Sequence, residues 1–465
     1  MQNVLVIGGG SAGVGAAWRA ALCGAKVTLV ESGGMLGGTS TLGGVHCWEP
    51  GIASANLNRF LYRRMSANPM AAGCGRTLSH TAASKMGLNG LMQGLAYENT
   101  LRRCGAKFPA RVHFEPEALH AAMLETLLEA GVRVWHNALV EDIMRDGSRL
   151  TGALVRDCVT GEQARIPFDG AIDCTGDAVV CRMAGVKTKF GEESGAEYGE
   201  MSAPAQPGGE VNGVSLIFRT TPSAQPRASV IPEWIKDTGA EQWIRAQGVP
   251  HSHVTIYPNG DRCYNPCPLM SGKEYWALRP AERRRECLAR VWVLWDHYQN
   301  ACEGHMGWKI SQISPRVGVR ESWRVQAARI LTENDIRAGK IDEESIALAD
   351  HVLVIHGPRR VENWEFSGPY GIPMGSLVTM EYENLLVAGR CAGFSHIAAS
   401  SCRLSRTMMD LGEAAGAAAA LSKDSWHIDI PAVRERLGFA QYLDWVGRVY
   451  PLIGQEEGMA ECNYT

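Results

Sequence analysis

The opening thirty-one residues constrain the fold of this chain more than any other stretch. A short apolar run, Val4 to Ile7, leads directly into the glycines at 8–10 and then into an alanine-rich segment. Such a run suits a strand that is buried on both faces, and the alanines that follow predict a helix. A second apolar run, Lys26 to Val30, ends on Glu31. Strand, glycines, helix, strand and acid follow one another in register, which is more specific than a glycine motif alone.

The turn between the first strand and the helix has a separate task for each glycine. Gly8 allows a tight turn, Gly10 lets the backbone approach a pyrophosphate, and Gly13 lets the helix pack closely on the strand. The start of the helix adds unpaired N–H groups and the positive end of the helix dipole. Glu31 stands where a carboxylate accepts hydrogen bonds from a ribose diol. We therefore predict a dinucleotide site that includes Gly8, Gly10, Ser11, Ala12, Gly13, Glu31 and Ser32.

A second glycine-rich loop follows directly. Residues 33–44 contain six glycines and three hydroxyl side chains, a composition that forms neither a stable helix nor a stable strand. A simple NAD-binding domain has no need of this loop, whereas flavin-adenine dinucleotide (FAD) does, because its pyrophosphate and its ring must both be held in extended form. We predict that Gly38, Thr39 and Ser40 contact FAD. No His or Cys lies within residues 33–44, so we expect the FAD to be bound without a covalent link.

The segment from residue 115 to residue 177 continues the cofactor-binding unit. A helix begins at Pro116, a residue that suits the first helical turn, and stops near Gly131. The runs at 138–143, 149–158 and 163–167 predict strands of a β-meander, and a further strand ends in a tight glycine turn. We predict further cofactor contacts from Val140, Thr175, Gly176 and Asp177.

The sequence returns to the pattern of a cofactor-binding unit near residue 385. Residues 385–388 predict another buried strand, which ends at Gly389 and Arg390. A loop with His396 follows, and we expect a helix to begin at the serines 400–401 and to run to about residue 421. The start of that helix would stabilise the anionic reduced flavin. We therefore add Gly389, Arg390 and Ser401 to the predicted FAD contacts.

These segments predict an α/β protein with a Rossmann-like FAD-binding domain and a β-meander, interrupted by a second, α+β domain. We place the discontinuous FAD-binding domain at 1–184 and 371–422, the substrate or cap domain at 185–370, and a C-terminal extension at 423–465. Eight of the 13 tryptophans lie between residues 234 and 364. This shift in composition supports the division, and the tryptophans suit core packing better than a binding cage.

Composition excludes several other classes of protein. A net charge of −3 favours neither nucleic acid nor an anionic membrane surface. No apolar run suggests a membrane span, and a first strand at Val4 leaves no room for a signal peptide. We therefore expect a cytoplasmic protein whose 14 cysteines are reduced thiols. Cys263 and Cys267 could form a redox pair or bind a metal, but no second cysteine pair or Cys/His cluster accompanies them, so we predict no metal site.

Taken together, the segments above resemble the FAD-dependent oxidoreductase family with the glutathione-reductase-like flavoprotein fold, whose bacterial members mostly lack an assigned substrate. The resemblance rests on residues 4–44, 172–178, 315–336 with 354–358, and 372–421. The last of these blocks is the most specific, because Arg390, His396, Arg403 and the GEAAG run fall at the spacing of the family. It implies a bound FAD, with the loop and helix after Arg390 near the isoalloxazine ring. Met374 stands where the family usually has an aromatic side chain, and Arg406 where it usually has a proline.

Three histidines are candidates for proton transfer. A flavin accepts or delivers a hydride at its N5 atom, so the protein has to orient a substrate and take or give a proton. His396 is the leading acid or base, because an imidazole titrates near neutral pH. The alternative role for His396 is a hydrogen bond that fixes its loop. His46, directly after the second glycine loop, is another candidate, and His356 is a weaker one.

Four arginines are candidates for binding a substrate carboxylate. A guanidinium group can hold a carboxylate through two parallel hydrogen bonds. The alternative is that several of them pair with Glu321 or with the main chain, as buried structural arginines do. The four candidates are Arg316, Arg320, Arg390 and Arg403. Arg390 and Arg403 fall at the spacing of the family, and we predict that they take part in catalysis with His396 and His46.

Two classes of function stay open. The first is an FAD-dependent dehydrogenase or reductase that transfers a hydride between flavin N5 and a small polar substrate bearing a carboxylate or a hydroxyl. The second is a flavoprotein electron-transfer subunit that works with a partner protein. A nucleic-acid modification factor is disfavoured by the acidic net charge. We expect a small-molecule substrate, with neither nucleic acid nor membrane as partner, and a homo-oligomer stays open.

Overall fold

The structure is a computed structural model of the chain. It describes residues 2–48, 56–74, 76–80, 112–225, 227–236, 238–257, 259–302, 304–357, 361–363 and 368–449. The segment 81–111, for which the sequence suggests no role, lies outside these residues, as does the end of the predicted C-terminal extension.

The described helices and strands have the following bounds. The helices are α1 Ser11–Leu22, α2 Leu57–Ser66, α3 Pro116–Glu129, α4 Val179–Ala184, α5 Gly195–Tyr198, α6 Glu233–Lys236, α7 Ala240–Gln247, α8 Gly272–Ala277, α9 Pro280–Ala301, α10 Glu333–Arg337, α11 His396–Cys402, α12 Ser405–Leu421, α13 Ile430–Leu437 and α14 Phe439–Val449. The strands are β1 Asn3–Ile7, β2 Lys26–Val30, β3 Cys47–Trp48, β4 Ala72–Cys74, β5 Arg76–His80, β6 Val112–Phe114, β7 Arg133–Trp135, β8 Ala138–Asp146, β9 Arg149–Asp157, β10 Gln163–Pro167, β11 Gly170–Asp173, β12 Thr188–Lys189, β13 Phe218–Pro222, β14 Ser252–Ile256, β15 Arg262–Pro266, β16 Trp308–Ile313, β17 Arg324–Val325, β18 Ser345–Ala349, β19 Leu353–Ile355, β20 Val361–Asn363, β21 Tyr370–Pro373 and β22 Leu385–Val387.

A parallel sheet of five strands holds the predicted cofactor-binding unit. Its strand order is β22, β11, β1, β2, β7, and every neighbouring pair is parallel. Residues 4–7 of β1 are all buried, which explains why this strand is an uninterrupted apolar run. The antiparallel meander of β8, β9 and β10 turns at Gly147 and Gly161, both with positive φ. The predicted mixed α/β fold with a Rossmann-like sheet is confirmed.

Helices α1 and α12 pack against each other at unusually short range. A Cβ atom on Gly412 would lie 1.9 Å from the carbonyl oxygen of Ala12, and one on Gly416 would lie 2.2 Å from that of Ala16. No side chain fits at either glycine, so the small residues of the GEAAG run let the two backbones touch.

A second sheet and the longest described helix form a separate core. Strands β16, β13, β15, β14 and β5 are antiparallel neighbours in that order. Trp295 and Tyr298 of helix α9 are fully buried and pack against this sheet. Within the sheet, Phe218 and Tyr264 stack with their ring centroids 5.0 Å apart. Trp295 therefore packs in a core, as expected for this tryptophan-rich region.

Residues 272–301 form two helices and not one. Helix α8 ends at Ala277, helix α9 begins at Pro280, and the two residues between them are extended. Proline disfavours the α conformation in the residue before it, so the helix cannot pass through Arg279.

The buried apolar residues divide into a main core and smaller ones. The main core takes its members from residues 4–186 and 325–446, and the core beneath α9 takes its members from residues 214–298. The domain boundaries drawn at 184 and 371 stay predictions. Among the described residues, no helix is both long enough and apolar enough to cross a membrane.

Candidate functional site

The glycine turn after β1 leaves room for a ligand at only one of its three motif positions. Gly8 has φ +97°, and a Cβ there would lie 2.6 Å from the Cys174 carbonyl oxygen. A Cβ on Gly13 would lie 1.7 Å from the Gly8 carbonyl oxygen. A Cβ on Gly10 would meet no atom within 4 Å. Gly8 and Gly13 are therefore needed for packing, whereas Gly10 borders open space at the start of α1, beside Ser11 and Ala12, where a pyrophosphate fits.

Glu31 is buried and joins the two glycine loops. Its Oε2 accepts the N–H of Gly9 at 2.7 Å, and its Oε1 accepts the N–H of Gly33 at 2.6 Å. Arg316 approaches Oε1 at 3.5 Å, and Ser32 Oγ lies 3.4 Å from the same oxygen. Each carboxylate oxygen can accept two hydrogen bonds, so Glu31 can hold the loops and still accept from a ribose hydroxyl.

The second glycine loop lies against the first. The N–H of Gly37 donates to the Gly9 carbonyl at 2.8 Å, and a Cβ on Gly38 would lie 3.1 Å from the Gly10 Cα. Residues Gly38–Ser40 form a 3₁₀ turn, which places Thr39 between the two, and Ser40 Oγ lies 2.8 Å from Ser405 Oγ. This cradle of two touching loops fits the extended pyrophosphate region of FAD.

The turn after β11 meets the end of β22 through an ion pair. Arg390 Nη2 donates to Asp177 Oδ1 at 2.7 Å, and Ser322 Oγ donates to the same oxygen at 2.6 Å. A Cβ on Gly176 would lie 2.8 Å from the Arg390 guanidinium, so glycine allows this contact. The predicted contacts Gly176, Asp177 and Arg390 therefore lie together, although Arg390 is already bound to a carboxylate.

The other predicted FAD contacts, Thr175, Gly389 and Val140, lie in three neighbouring parts of the fold. Thr175 Oγ1 donates to Asp173 at 2.7 Å and accepts the N–H of Val179 at 2.9 Å. Gly389 has φ +107°, in the left-handed region that favours glycine. Val140 is buried in β8, two residues after Ala138, whose N–H donates to the carbonyl of Glu31.

His396 lies in a buried cluster of charged residues that the sequence does not place together. Its Nδ1 lies 3.0 and 2.9 Å from the two carboxylate oxygens of Glu321. A carboxylate only accepts, so Nδ1 carries a proton, and Nε2 is the atom that can gain or lose one. The backbone N–H of His396 donates to Glu193 at 2.8 Å. Nε2 lies 3.8 Å from Glu192, the neighbour of Glu193.

Arg324 connects the acids of this cluster. It donates to Glu193 and to the Gly191 carbonyl, both at 2.7 Å, and it also contacts Glu321. Asn212 donates to Glu321 through its backbone and its side chain, at 2.8 and 2.7 Å. Burial favours the neutral acid of Glu193, but the charge of Arg324 and the hydrogen bonds from His396 and Arg324 together outweigh burial and lower the pKa of Glu193. Glu193 and Glu321 together carry two negative charges, against one positive charge on Arg324. His396 offsets the remaining negative charge when it binds a proton.

The expected helix start at the serines 400–401 is wrong. Helix α11 begins at His396, because the Ser395 side chain accepts the N–H of Ala398 at 3.0 Å and caps the helix. The serines lie in its last turn, and Ser401 Oγ contacts Tyr370 and the carbonyl of His351. The predicted charge stabilisation by a helix start at Ser401 therefore has no basis in this structure, and the first N–H of α11 already binds Glu193.

His46 fixes the second glycine loop through both ring nitrogens. Nε2 lies 3.1 Å from the Thr41 carbonyl, which only accepts, so Nε2 carries the proton and Nδ1 accepts from the Tyr257 hydroxyl at 2.8 Å. Burial lowers the pKa of His46 to about 4. This geometry favours a loop-fixing role for His46 over the predicted proton transfer.

The other candidates lie at several places. Arg403 donates to the carbonyls of Val354 and Ser400, and Arg320 lies beside Cys267. The backbone N–H of His356 donates to Asn212 at 3.0 Å, close to the charged cluster. Neither Cys263 nor Cys267 forms a disulfide bond. In the described ranges, no group of His, Cys, Asp or Glu is arranged to hold a metal ion.

Sequence reasoning missed Glu193, Arg324 and Asn212 as members of the cluster. Glu321 was considered only as a partner for arginine. The local signal was weak, because Glu193 lies 203 residues and Arg324 72 residues before His396 in the chain. The sequence hint of a functional site was the adjacent pair Glu192 and Glu193, which follows Gly191.

The fold and the two glycine loops define a nucleotide-binding flavoprotein. The family model described as "FAD dependent oxidoreductase" matches residues 3–437. The chain belongs to this family of FAD-dependent oxidoreductases, and FAD is its cofactor. Gly10, the start of α1 and residues 37–40 are the parts of this structure that would hold the FAD pyrophosphate.

Individual relatives are more distant. Thiamine thiazole synthase from Aeropyrum pernix is 28% identical over 192 residues, which cover 39% of this chain and 57% of that protein. A geranylgeranyl bacteriochlorophyll reductase-like protein from Thermoplasma acidophilum has a TM-score of 0.45 at 13% identity, covering 98% of this chain and 88% of that one. A triple mutant of the flavin-dependent brominase Bmp2 has a TM-score of 0.47 at 12% identity, covering 97% and 90%. These structural likenesses are too weak to carry an argument about function.

Glu31→Gln should weaken FAD binding about tenfold or more. The substitution removes a charge-assisted acceptor, worth roughly 1.5–3 kcal/mol, from the ribose hydroxyls. It also places an amide against the N–H groups of Gly9 and Gly33, which adds to the loss. Titration of the apoprotein with FAD measures the effect, and the exposed Glu162→Gln is the matched control. Unchanged affinity in Glu31→Gln would show that Glu31 does not bind the ribose.

Proposed function

We propose that this protein is a dehydrogenase or reductase with the glutathione-reductase-like fold. It transfers a hydride between flavin N5 and a small polar substrate that bears a carboxylate or a hydroxyl group. Bound FAD supplies the hydride chemistry. The observation that carries the proposal is the buried pair of His396 and Glu321, with Nδ1 2.9 Å from the nearer carboxylate oxygen. A carboxylate that fixes one ring nitrogen leaves the other aimed for proton transfer.

The site residues have distinct roles in this proposal. His396 takes or gives the substrate proton at Nε2. Glu321 orients the imidazole and stabilises its protonated form, while Arg324 and Asn212 hold Glu321 in place. His396 is the first residue of α11 and follows Gly389 closely in the chain, and a Cβ atom on Gly389 would lie 3.5 Å from Ala12 Cβ in the nucleotide-binding helix.

An anaerobic screen of flavin absorbance tests the proposed function. The purified holoprotein is mixed with small hydroxy acids, enoates and sugars, in the oxidised form and after reduction by dithionite. We expect one of these classes to bleach or restore the flavin band in the isolated protein. A flavin that exchanges electrons with dithionite but with no member of the panel would contradict the proposal and favour an electron-transfer subunit.

We further propose that the FAD is held without a covalent bond. No His or Cys lies within residues 33–44, although His46 and Cys47 follow shortly after, and both nitrogens of His46 contact the protein. Acid precipitation should release all the yellow colour into the supernatant, as measured by its absorbance. Colour retained in the washed pellet would indicate a covalent link.

A further inference from the structure

Among the described residues, the hydrogen-bond acceptors of Arg320 and Arg403 are all neutral. Arg320 donates through Nη1 to the Gly213 carbonyl at 2.8 Å and through Nη2 to Ser215 Oγ at 2.9 Å. Its Nη2 also lies 3.1 Å from Cys267 Sγ and 3.3 Å from Asn265 Oδ1. No carboxylate of the described residues pairs with this guanidinium, in contrast to Arg390, Arg324 and Arg219, which all hold one.

Arg403 likewise pairs with no carboxylate of the described residues. Its Nη1 donates to the carbonyl of Ser400 at 2.8 Å, at the end of helix α11, and it approaches the Val354 carbonyl at 3.3 Å. All its protein partners within the described ranges are main-chain carbonyls. A guanidinium group carries five N–H donors, and the Nε–H of both Arg320 and Arg403 is not used by any described residue.

The two guanidinium groups are linked to one segment of the chain, residues 354–356, Arg403 directly and Arg320 through Gly213. Arg403 contacts the carbonyl of Val354 in β19. Arg320 contacts the carbonyl of Gly213, whose N–H donates to the carbonyl of His356 at 2.6 Å, one residue beyond that strand. Burial and the positive charge of Arg320 lower the pKa of Arg403 to about 9, which leaves Arg403 positive at neutral pH. An anion between them would offset this repulsion.

We propose that Arg320 and Arg403 together bind a carboxylate group of the substrate. This inference rests on the proposed function, because it names the substrate as an organic acid. The planar guanidinium fork matches a carboxylate better than any other small anion except phosphate, and both arginines keep some exposure to solvent.

The position of the pair relative to His396 sets the size of the substrate. Arg403 directly follows helix α11, and His396 begins it, so seven helical residues separate the two ends. A rise of about 1.5 Å per residue places the helix ends roughly 10 Å apart. On this scale the proposed substrate is a small organic acid, with its carboxylate on the arginines and its reacting carbon at His396.

Binding of simple carboxylates to the FAD-loaded protein tests the pair directly. Acetate, lactate, succinate and benzoate are titrated by calorimetry, each against its neutral amide. We expect at least one acid to bind and its amide to fail. Arg320→Gln and Arg403→Gln should each weaken that acid about tenfold or more. Arg320→Lys and Arg403→Lys should recover part of the affinity, because they restore the charge without the fork.

Arg434→Gln is the matched control, because Arg434 also donates to a main-chain carbonyl, that of Asp342, on a helix remote in sequence from the pair. It should leave carboxylate binding unchanged. FAD content and thermal midpoint are recorded for each variant, and the comparison of acid with amide in the unmodified protein does not depend on any variant folding.

The inference is overturned if the FAD-loaded protein binds none of the acids, binds acid and amide equally, or binds phosphate in place of every acid. It is also overturned if both glutamine variants bind the acid normally. None of these results touches the proposed hydride transfer, which would then act on a neutral substrate. Failure of the flavin screen with acid binding intact would contradict the proposed function alone.

Discussion

His396→Asn should keep FAD and the fold but slow the flavin step by about 10² to 10⁴, the usual contribution of a positioned acid or base. An asparagine amide can still donate to Glu321 from the place of Nδ1, so the buried carboxylate keeps its partner. It cannot move a proton at neutral pH. The loss therefore falls on chemistry and not on stability.

Stopped-flow flavin kinetics measures this effect once a substrate is known. The unmodified protein should show a pH dependence of the flavin step that His396→Asn lacks. His46→Asn is the comparison variant and should slow the step less, because His46 fixes a loop through both nitrogens. If His46→Asn is crippled while His396→Asn is near normal, the roles of the two histidines are reversed. If neither variant changes the step, the proton travels through another group.

Arg324→Met should lower the free energy of unfolding by about 3–5 kcal/mol, the usual cost of removing one partner from a buried ion pair. Arg324, Glu193 and Glu321 are each 0–1% exposed, so both carboxylates would be left charged in a dry interior. Methionine fills most of the volume of the arginine side chain, so little stability is lost through a cavity.

Urea unfolding followed by tryptophan fluorescence gives the change, with the fully exposed Arg279→Met as the control expected to leave the midpoint in place. Without Arg324, burial raises the pKa of Glu193 above its unfolded value. A group with a raised folded pKa contributes stability at low pH and loses it as pH rises. The deficit of Arg324→Met should therefore shrink as pH falls from 7 to 5. A deficit that is independent of pH would indicate lost packing instead of stranded charge.

The nucleotide end of the site was predictable because its constraints are local. Gly8, Gly10 and Gly13 act within a single turn, and Glu31 follows on the adjacent strand, so a short stretch of sequence contains the complete pattern. The meander could be predicted for the same reason, since its turns lie at Gly147 and Gly161 between alternating strands.

The charged cluster could not be predicted, because its members come from distant parts of the chain. Glu193, Arg324 and His396 meet only after the sheets have formed, and no periodicity in the sequence links them. The prediction of where helix α11 begins was wrong for another reason. Ser395 and Ser400 are both suitable N-cap residues. Ser395 is the one that caps the helix, and its position is fixed by distant parts of the chain: its own N–H donates to the Leu331 carbonyl, and the N–H of His396 donates to Glu193.

The contact between α1 and α12 makes the nucleotide-binding helix depend on a distant part of the chain. The glycines of α12 receive the carbonyls of α1, and β11 pairs with β22, so α1 is fully packed only in a chain that includes α12. Contacts between segments this far apart in sequence form late in folding. We therefore expect a chain truncated before α12 to bind flavin poorly and to be cleaved readily by proteases.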